Sequence, residues 1–181
     1  MATAQSRVTD MTRGDPVRLL LNFSAPLFLS NLLQQFYNLA DTALAGHILG
    51  DAALAEIGAT AALYGLIMNF AFGMNNGLAL TVSRLFGAGD EKGVRRATAW
   101  MLALAAATAA VLTVVFVGVR RPLLVLLQVP EATMEGALAY LTLILLGIPL
   151  TMAYNMEAAL LRAIGNSLTP LYFLLFSTVL N

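Results

Sequence analysis

Charged side chains are absent from four long stretches of this sequence. These uncharged runs are 21 to 27 residues long and cover residues 19–40, 57–83, 97–119 and 136–156. A fifth run begins at Ala163 and continues to the last residue. An α-helix rises about 1.5 Å per residue, so about 20 apolar residues cross the roughly 30 Å hydrocarbon core of a bilayer. Each closed run therefore predicts a membrane-spanning helix.

The composition supports the same interpretation. Hydrophobic residues make up 59% of the chain and charged residues 11%, whereas an ordinary soluble domain is about 25% charged. A large soluble helical core is the alternative, and four separate runs above the threshold of about 18 residues disfavour it. We predict an all-α, polytopic membrane helical bundle over residues 17–181, with about five helices of which the fifth is incomplete.

The first 16 residues are polar and contain no apolar stretch of the kind found in a secretory signal peptide. They predict a cytoplasmic N-terminal tail. Eight of the ten Lys and Arg residues would then lie on the cytoplasmic side, and Arg120 and Arg121 would lie outside. The formal net charge is zero. We therefore expect that the protein does not bind nucleic acid.

Glycine, proline and charge mark the connections between spans. We expect a turn within residues 46–58, marked by the glycines of that segment and by Asp51 as the N-cap of the next helix, and a third span that begins after Arg96. The apolar segment between Pro122 and Pro130 is too short to span, so it is expected to lie along the outer interface. Gly165 is expected to cap the fourth span at its C-terminus.

The first span carries a stripe of polar side chains. Plotted at 100° per residue, five of them lie within about 60° of one another, with Gln34 and Asp41 beside them: Ser24, Asn31, Gln35, Asn38 and Thr42. An unsatisfied amide or carboxylate that faces lipid is costly. The stripe therefore predicts a surface that faces the inside of a bundle or a water-filled cavity.

Two interpretations of this stripe remain open from spacing alone. In the first, the amides hydrogen-bond a neighbouring helix, at about 0.6 kcal/mol each, and Asp41 is an interfacial residue at the helix end. Alternatively, the stripe lines a hydrated cavity in which Asp41 binds a cation or a proton. Pro26 removes one backbone hydrogen bond of the same span and permits a bend.

Other polar residues in the spans give weaker signals. The segment GMNNG places Gly73 and Gly77 at the spacing that allows close helix packing, so Asn75 and Asn76 are interpreted as packing residues. Asn155 is a deep polar residue of the fourth span. The sequence contains no cysteine and no motif of a metal site, a nucleophile with its base or a phosphate-binding loop. It thus predicts neither an enzyme nor a bound cofactor.

Three segments together resemble a known family. APLFLSNLLQQFYNLADTALAGHILGDAALAEIGAT, SRLFGAGDEKGVRRA and YNMEAALLRAIGNSLTPLYFLLFSTVLN occur in the order and at the distances of the N-terminal half of multidrug and toxic compound extrusion (MATE) transporters. The similarity is closest to the prokaryotic DinF-like branch. It departs from the family pattern at Glu56, Arg84 and Asn166, where a small residue, Gln and Asp are more usual.

The resemblance implies an N-terminal lobe of a two-lobe transporter with six helices in each lobe. Such proteins export cationic or amphipathic compounds in exchange for Na⁺ or H⁺. The resemblance therefore implies a coupling ion, Na⁺ or H⁺, and no cofactor. The resemblance assigns ion or proton coupling to Asp41 and makes Pro26 the bend. Polar contacts in the cavity are expected from Gln34, Asn38, Asn155 and Asn181.

The resemblance also implies a location and a missing part, and two other functions compete with it. We expect a bacterial inner-membrane protein whose chain is a fragment, inactive without a C-terminal lobe. The nearest rival is a lipid-linked oligosaccharide flippase of the same wider superfamily, which is disfavoured because none of the closed spans contains Lys or Arg. A non-transporting membrane scaffold is the third possibility.

Overall fold

The computed structural model describes residues 14–180, apart from the side chains at positions 49, 51–53, 55, 179 and 180. Most of the expected tail and Asn181 therefore lie outside the described residues. The described chain folds into six helices: α1 (Pro16–Ile48), α2 (Glu56–Gly87), α3 (Glu91–Leu126), α4 (Glu131–Leu146), α5 (Ile148–Ala163) and α6 (Leu168–Leu180). The first three are each long and apolar enough to cross a membrane. The all-α membrane bundle predicted from the sequence is confirmed.

The turn between α1 and α2 depends on Gly50. Its φ of 82° and ψ of −179° are non-helical and fall in a region that only glycine adopts readily. The backbone is otherwise helical from Pro16 to Gly87, so this single residue separates the first two spans. The turn predicted within residues 46–58 is confirmed, and the structure places it at Gly50. The side chain of Asp51, the predicted N-cap, lies outside the described residues.

The third helix begins earlier than the sequence predicted. We expected it after Arg96, but α3 starts at Glu91, where the Asp90 side chain accepts a hydrogen bond from the Gly93 N–H at 2.9 Å. This cap satisfies one of the free amides of the first turn. The prediction was wrong because an uncharged run marks the part of a helix within the hydrocarbon, whereas charged turns extend the helix into water.

The other end of α3 also differs from expectation. The segment after Pro122 does not lie along the interface as a separate piece, because α3 continues through this proline to Leu126. Leu124 is fully buried in the main core. Packing of this side chain offsets the hydrogen bond that proline cannot make.

The fourth predicted span is broken into two helices. Helices α4 and α5 meet at Gly147 with a bend of 42°, and together they can form one crossing. Pro149 lies in the first turn of α5 and has no N–H to continue the helical ladder. The next connection follows prediction, because Gly165 ends α5 with a φ of 83° and the Asn166 side chain caps α6 by accepting from the Thr169 N–H.

Two clusters of buried side chains hold helices α2 to α5 together. The larger cluster joins Ile67 of α2 to Leu141 and Leu145 of α4 and to Met152 of α5. The smaller cluster lies around Val82, Met101 and Met156, towards the α2–α3 connection. By contrast, the most apolar window of α1 has no residue buried inside the structure. The bundle is thus a packed frame of four helices with α1 beside it.

The small-residue motif of α2 does not serve the packing that its spacing suggested. Gly73 and Gly77 are exposed, and a side chain built at either would meet nothing within 4 Å among the described atoms. The packed face of α2 is formed instead by residues such as Ile67, Ala71 and Asn75. The packing interpretation was therefore wrong for the two glycines of GMNNG, whereas Asn75 of the same segment is packed.

Gly50→Ala tests the glycine-only turn. Because the alanine Cβ is strained at this backbone conformation, we expect the free energy of unfolding to fall by about 1–3 kcal/mol. Thermal unfolding of the purified protein in detergent, followed by circular dichroism, measures the change. Gly118→Ala is the matched control, since Gly118 lies within α3 and has open space around it. Equal destabilisation by both substitutions would contradict the role of Gly50.

Candidate functional site

The principal cavity lies between α1 and the packed frame and has a volume of about 730 Å³. Helices α1, α2, α5 and α6 all contribute to its wall. The polar lining residues are Ser30, Asn31, Gln34, Asn38, Tyr64, Asn69, Asn76, Thr151, Tyr154, Asn155 and Arg162. A cavity with this many amide and hydroxyl groups inside a membrane bundle holds water far better than lipid tails.

The polar face of α1 forms one wall of this cavity. Asn31, Gln34 and Asn38 all line it, and the Gln34 Nε2 donates a hydrogen bond to the Asn38 Oδ1 at 3.3 Å. Gln35 was grouped with these residues by helical angle, yet it is exposed and is not part of the lining. The cavity-facing side of α1 is therefore rotated from the predicted stripe towards Gln34.

Asp41 lies one turn beyond Asn38, towards the α1–α2 turn. Asp41 is partly buried, and its carboxylate forms a side-chain hydrogen bond with Tyr37. Asp41 does not belong to the lining of the principal cavity. A smaller recess of about 190 Å³ is lined by Gln34, Tyr37 and Tyr154. Asp41 thus lies beside Tyr37, at the end nearest the α1–α2 turn of a polar path formed by this recess and the cavity.

The opposite end of the cavity carries a positive charge. Arg162, in the last turn of α5, is partly buried, and its Nη2 donates to the Asn76 Oδ1 at 3.3 Å. This hydrogen bond joins the end of α5 to α2. Sequence reasoning missed this cavity residue because it lies just outside the uncharged run.

Adjacent asparagines of α2 have different environments. Asn75 is fully buried, and its Nδ2 donates to the Met152 carbonyl oxygen at 3.4 Å, which joins α2 to α5. Its packing role is confirmed. Asn76 lies one residue, or about 100°, further round the helix and lines the cavity. The packing interpretation was therefore wrong for Asn76.

The remaining predicted residues are placed as follows. Asn155 lines the cavity, and its Nδ2 donates to the Thr151 carbonyl oxygen of the same helix at 3.0 Å. Pro26 lies inside α1, and its carbonyl oxygen accepts from the Ser30 hydroxyl at 2.8 Å. Asn181 lies outside the described residues. Within the described part of the chain, no group of three or more His, Cys, Asp or Glu residues is placed to hold a metal ion.

Comparison with known proteins identifies the family. A family model described as MatE matches residues 26–181. The chain belongs to the MATE family. Members of this family are membrane transporters, and the expected resemblance is confirmed.

Two curated relatives are bacterial MATE proteins. The chain is 32% identical over 179 residues to "Probable multidrug resistance protein YpnP" of Bacillus subtilis, covering 95% of this chain and 39% of the relative. It is 31% identical over 171 residues to "Probable multidrug resistance protein NorM" of Pseudomonas putida, covering 91% of this chain and 35% of the relative. The chain therefore spans about two fifths or less of these relatives' length.

Solved structures share the fold. An outward-facing MATE transporter aligns with a TM-score of 0.87 at 23% identity, covering 95% of this chain and 39% of the other. Structures described as MATE in the bent and in the straight conformation each align with a TM-score of 0.85 at 23% identity. Each alignment again covers 95% of this chain and 39% of the other. The helical arrangement described above is thus that of the MATE fold.

Cysteine labelling tests whether the cavity is hydrated. The chain has no cysteine, so single substitutions provide specific probes. We expect Asn69→Cys, on the cavity wall, to react with a water-soluble maleimide in intact membranes. Phe70→Cys is the matched control at the same depth, because Phe70 is exposed on a face of α2 outside the cavity and should be shielded by lipid. Equal labelling of both positions would contradict a hydrated cavity.

Proposed function

We propose that this chain forms the N-terminal lobe of a secondary active exporter, which expels cationic or amphipathic compounds in exchange for Na⁺ or H⁺. The observation that carries the proposal is the 730 Å³ polar cavity bounded by membrane helices. A volume of 300–1,000 Å³ suits a drug-sized ligand. The names of the bacterial relatives, given as multidrug resistance proteins, support the same substrate class.

Coupling is assigned to Asp41. A cation or proton that arrives from outside neutralises this carboxylate, and the cavity then holds a cationic compound less firmly. Because the effect of each ligand on the other is reciprocal, a bound cationic compound also weakens ion binding. Exchange follows from this competition. Gln34, Asn38 and Asn155 would supply hydrogen bonds to the ion or the compound, and Asn181 is proposed for the same role on the resemblance alone.

Alternating access requires a second body against which this lobe moves. The apolar part of α1 is not buried within the chain, so its outer surface is available to lipid or to another lobe. The chain also spans only 39% of the YpnP relative. We therefore assign the transport activity to an assembly of this lobe with a C-terminal lobe, and expect residues 1–181 alone to be inactive.

Orientation and location follow from charge and from the relatives. Placing the N-terminus in the cytoplasm puts eight of ten cationic residues on the cytoplasmic side, in accordance with the positive-inside rule. The named relatives come from bacteria. We propose the bacterial inner membrane as the location.

The flippase alternative gains one supporting observation from Arg162, whose positive charge lines the cavity. A lipid diphosphate carries more than one negative charge and would be expected to need several cations. Arg162 is the one Lys or Arg among the lining residues that the structure describes. A single guanidinium fits a singly charged group better, so the exporter remains the proposal.

Asp41→Asn tests the coupling residue. The amide has nearly the same shape but cannot bind a proton or attract a cation by charge. We expect ethidium export to fall by roughly 10- to 100-fold, the size of a coupling energy of about 1–3 kcal/mol. The assay uses cells that lack their own drug exporters and produce the full gene product, with membrane insertion checked by immunoblotting.

Glu157→Gln is the control for this substitution, since Glu157 is an exposed acid of α5 that does not line the cavity. It should leave export unchanged. Normal export by Asp41→Asn at equal membrane levels would refute the assignment.

Pro26→Ala tests the proposed bend in α1. Alanine restores the backbone hydrogen bond that proline cannot donate, so the straight helix becomes more stable. Because bending would then break one net hydrogen bond, we expect the export rate to fall by about 2- to 10-fold. Binding of ethidium should be unchanged. Pro122→Ala is the control, because Pro122 is an exposed proline inside α3 and outside the cavity. If both variants export at the normal rate, Pro26 is not a functional bend.

A further inference from the structure

The positive charge of Arg162 has no role in cation export as proposed above. Its guanidinium lies at the wall of a membrane cavity and is partly buried. No ion pair joins it to a carboxylate within the part of the chain that the structure describes, where its side-chain partner is the neutral amide of Asn76. A charge in such a place is costly unless it is paired or solvated.

The geometry around Arg162 leaves most of its hydrogen-bonding capacity for a ligand. A guanidinium has five N–H donors, and the described hydrogen bond to Asn76 uses Nη2. This contact fixes the side chain at the cavity wall. The planar group presents paired donors that match a carboxylate in a two-point arrangement.

Aromatic side chains line the same cavity. Phe72 of α2 and Tyr154 of α5 both contribute to its wall, and both are exposed at the surface of the isolated chain. Rings of this size provide apolar contact area for the body of an aromatic compound. The wall therefore combines one cationic anchor with an apolar surface beside it.

Arg162 and Asp41 lie at opposite ends of the polar path. Leu27 is the earliest residue of α1 in the cavity lining, and Arg162, in the last turn of α5, bonds to Asn76, which lies 26 residues beyond the Gly50 turn in α2. Asp41 lies 14 residues further along α1, which corresponds to about 21 Å at 1.5 Å per residue. The carboxylate is thus too distant to neutralise the guanidinium directly.

We infer that Arg162 and Asn76 form an anion subsite at the inner end of the cavity, which binds the carboxylate of an amphipathic, aromatic substrate. This inference rests on the proposed export function and narrows its substrate class. Compounds that carry both a cation and a carboxylate would bind in a defined direction, with the carboxylate at Arg162 and the cation towards Asp41.

The test compares two fluorescent probes that differ in one group. Rhodamine B carries a carboxylate and a cationic ring system, and in rhodamine B ethyl ester the carboxylate is masked. Binding to the purified full gene product in lipid nanodiscs is measured by fluorescence anisotropy. Arg162→Gln should weaken rhodamine B binding by about 10- to 100-fold through the loss of charge-assisted hydrogen bonds. Binding of the ester should change by less than about twofold.

Arg84→Gln is the matched control. It removes the same charge from an exposed position in the last turn of α2, outside the cavity lining, and should leave binding of both probes unchanged. A second measurement needs no substitution of Arg162. Sodium benzoate should displace rhodamine B from the unmodified protein but not the ester, because the small carboxylate competes only for the anion subsite.

The possible results separate the two proposals. The anion subsite is refuted if the unmodified protein binds the ester but benzoate displaces neither probe. It is also refuted if Arg162→Gln weakens the binding of both probes equally. In either case the exporter proposal stands. If the unmodified protein binds neither probe, the drug-binding function itself fails, and the subsite fails with it. Selective loss of rhodamine B binding in Arg162→Gln supports the inference.

Discussion

The interior of a bilayer provides no water for polar side chains, and this constraint explains the arrangement of α1. Its amides at Asn31, Gln34 and Asn38 cannot face acyl chains without a large desolvation cost. They are not packed into the core either, because no residue in the most apolar window of α1 is buried inside the structure. The remaining environment is the cavity between α1 and the packed frame. The cavity is therefore a consequence of where these amides are placed in the sequence.

Helix α2 separates this cavity from the core, and two neighbouring residues show how. Asn75 turns inwards and bonds to the Met152 carbonyl of α5, which joins the two helices at depth. Asn76 turns about 100° away and accepts from Arg162 across the cavity wall. The same short segment thus stabilises the frame and positions a charge for a ligand. Substitutions at the two positions should therefore have different consequences, for stability at Asn75 and for binding at Asn76.

Membrane spans and fold class were predictable because they depend on hydrophobicity and length alone. The identity of the cavity face was only partly predictable: Asn31 and Asn38 of the predicted stripe line the cavity, whereas Gln35 lies outside the lining. An angle on an ideal helix does not state which neighbours a helix packs against. The roles of Arg162 and Gly73 depended on such tertiary neighbours, and so sequence reasoning missed the first and misread the second. Helix ends were misplaced for a related reason, because Asp90 caps a helix in water, where hydrophobicity carries no signal.

Opposite charges at the two ends of the cavity raise the question of how a substrate at one end influences an ion at the other. At an effective dielectric constant of 20, unit charges about 21 Å apart interact by only about 0.8 kcal/mol. Arg162 and Asp41 alone are therefore nearly independent. A substrate anchored by its carboxylate at Arg162 extends its cationic group towards Asp41, and at about 8 Å the interaction with the acid reaches about 2 kcal/mol. That value lies within the range of typical coupling energies between ligands. Under the proposed mechanism, anchoring at the inner end is thus what allows a long substrate to compete with the coupling ion at the outer end.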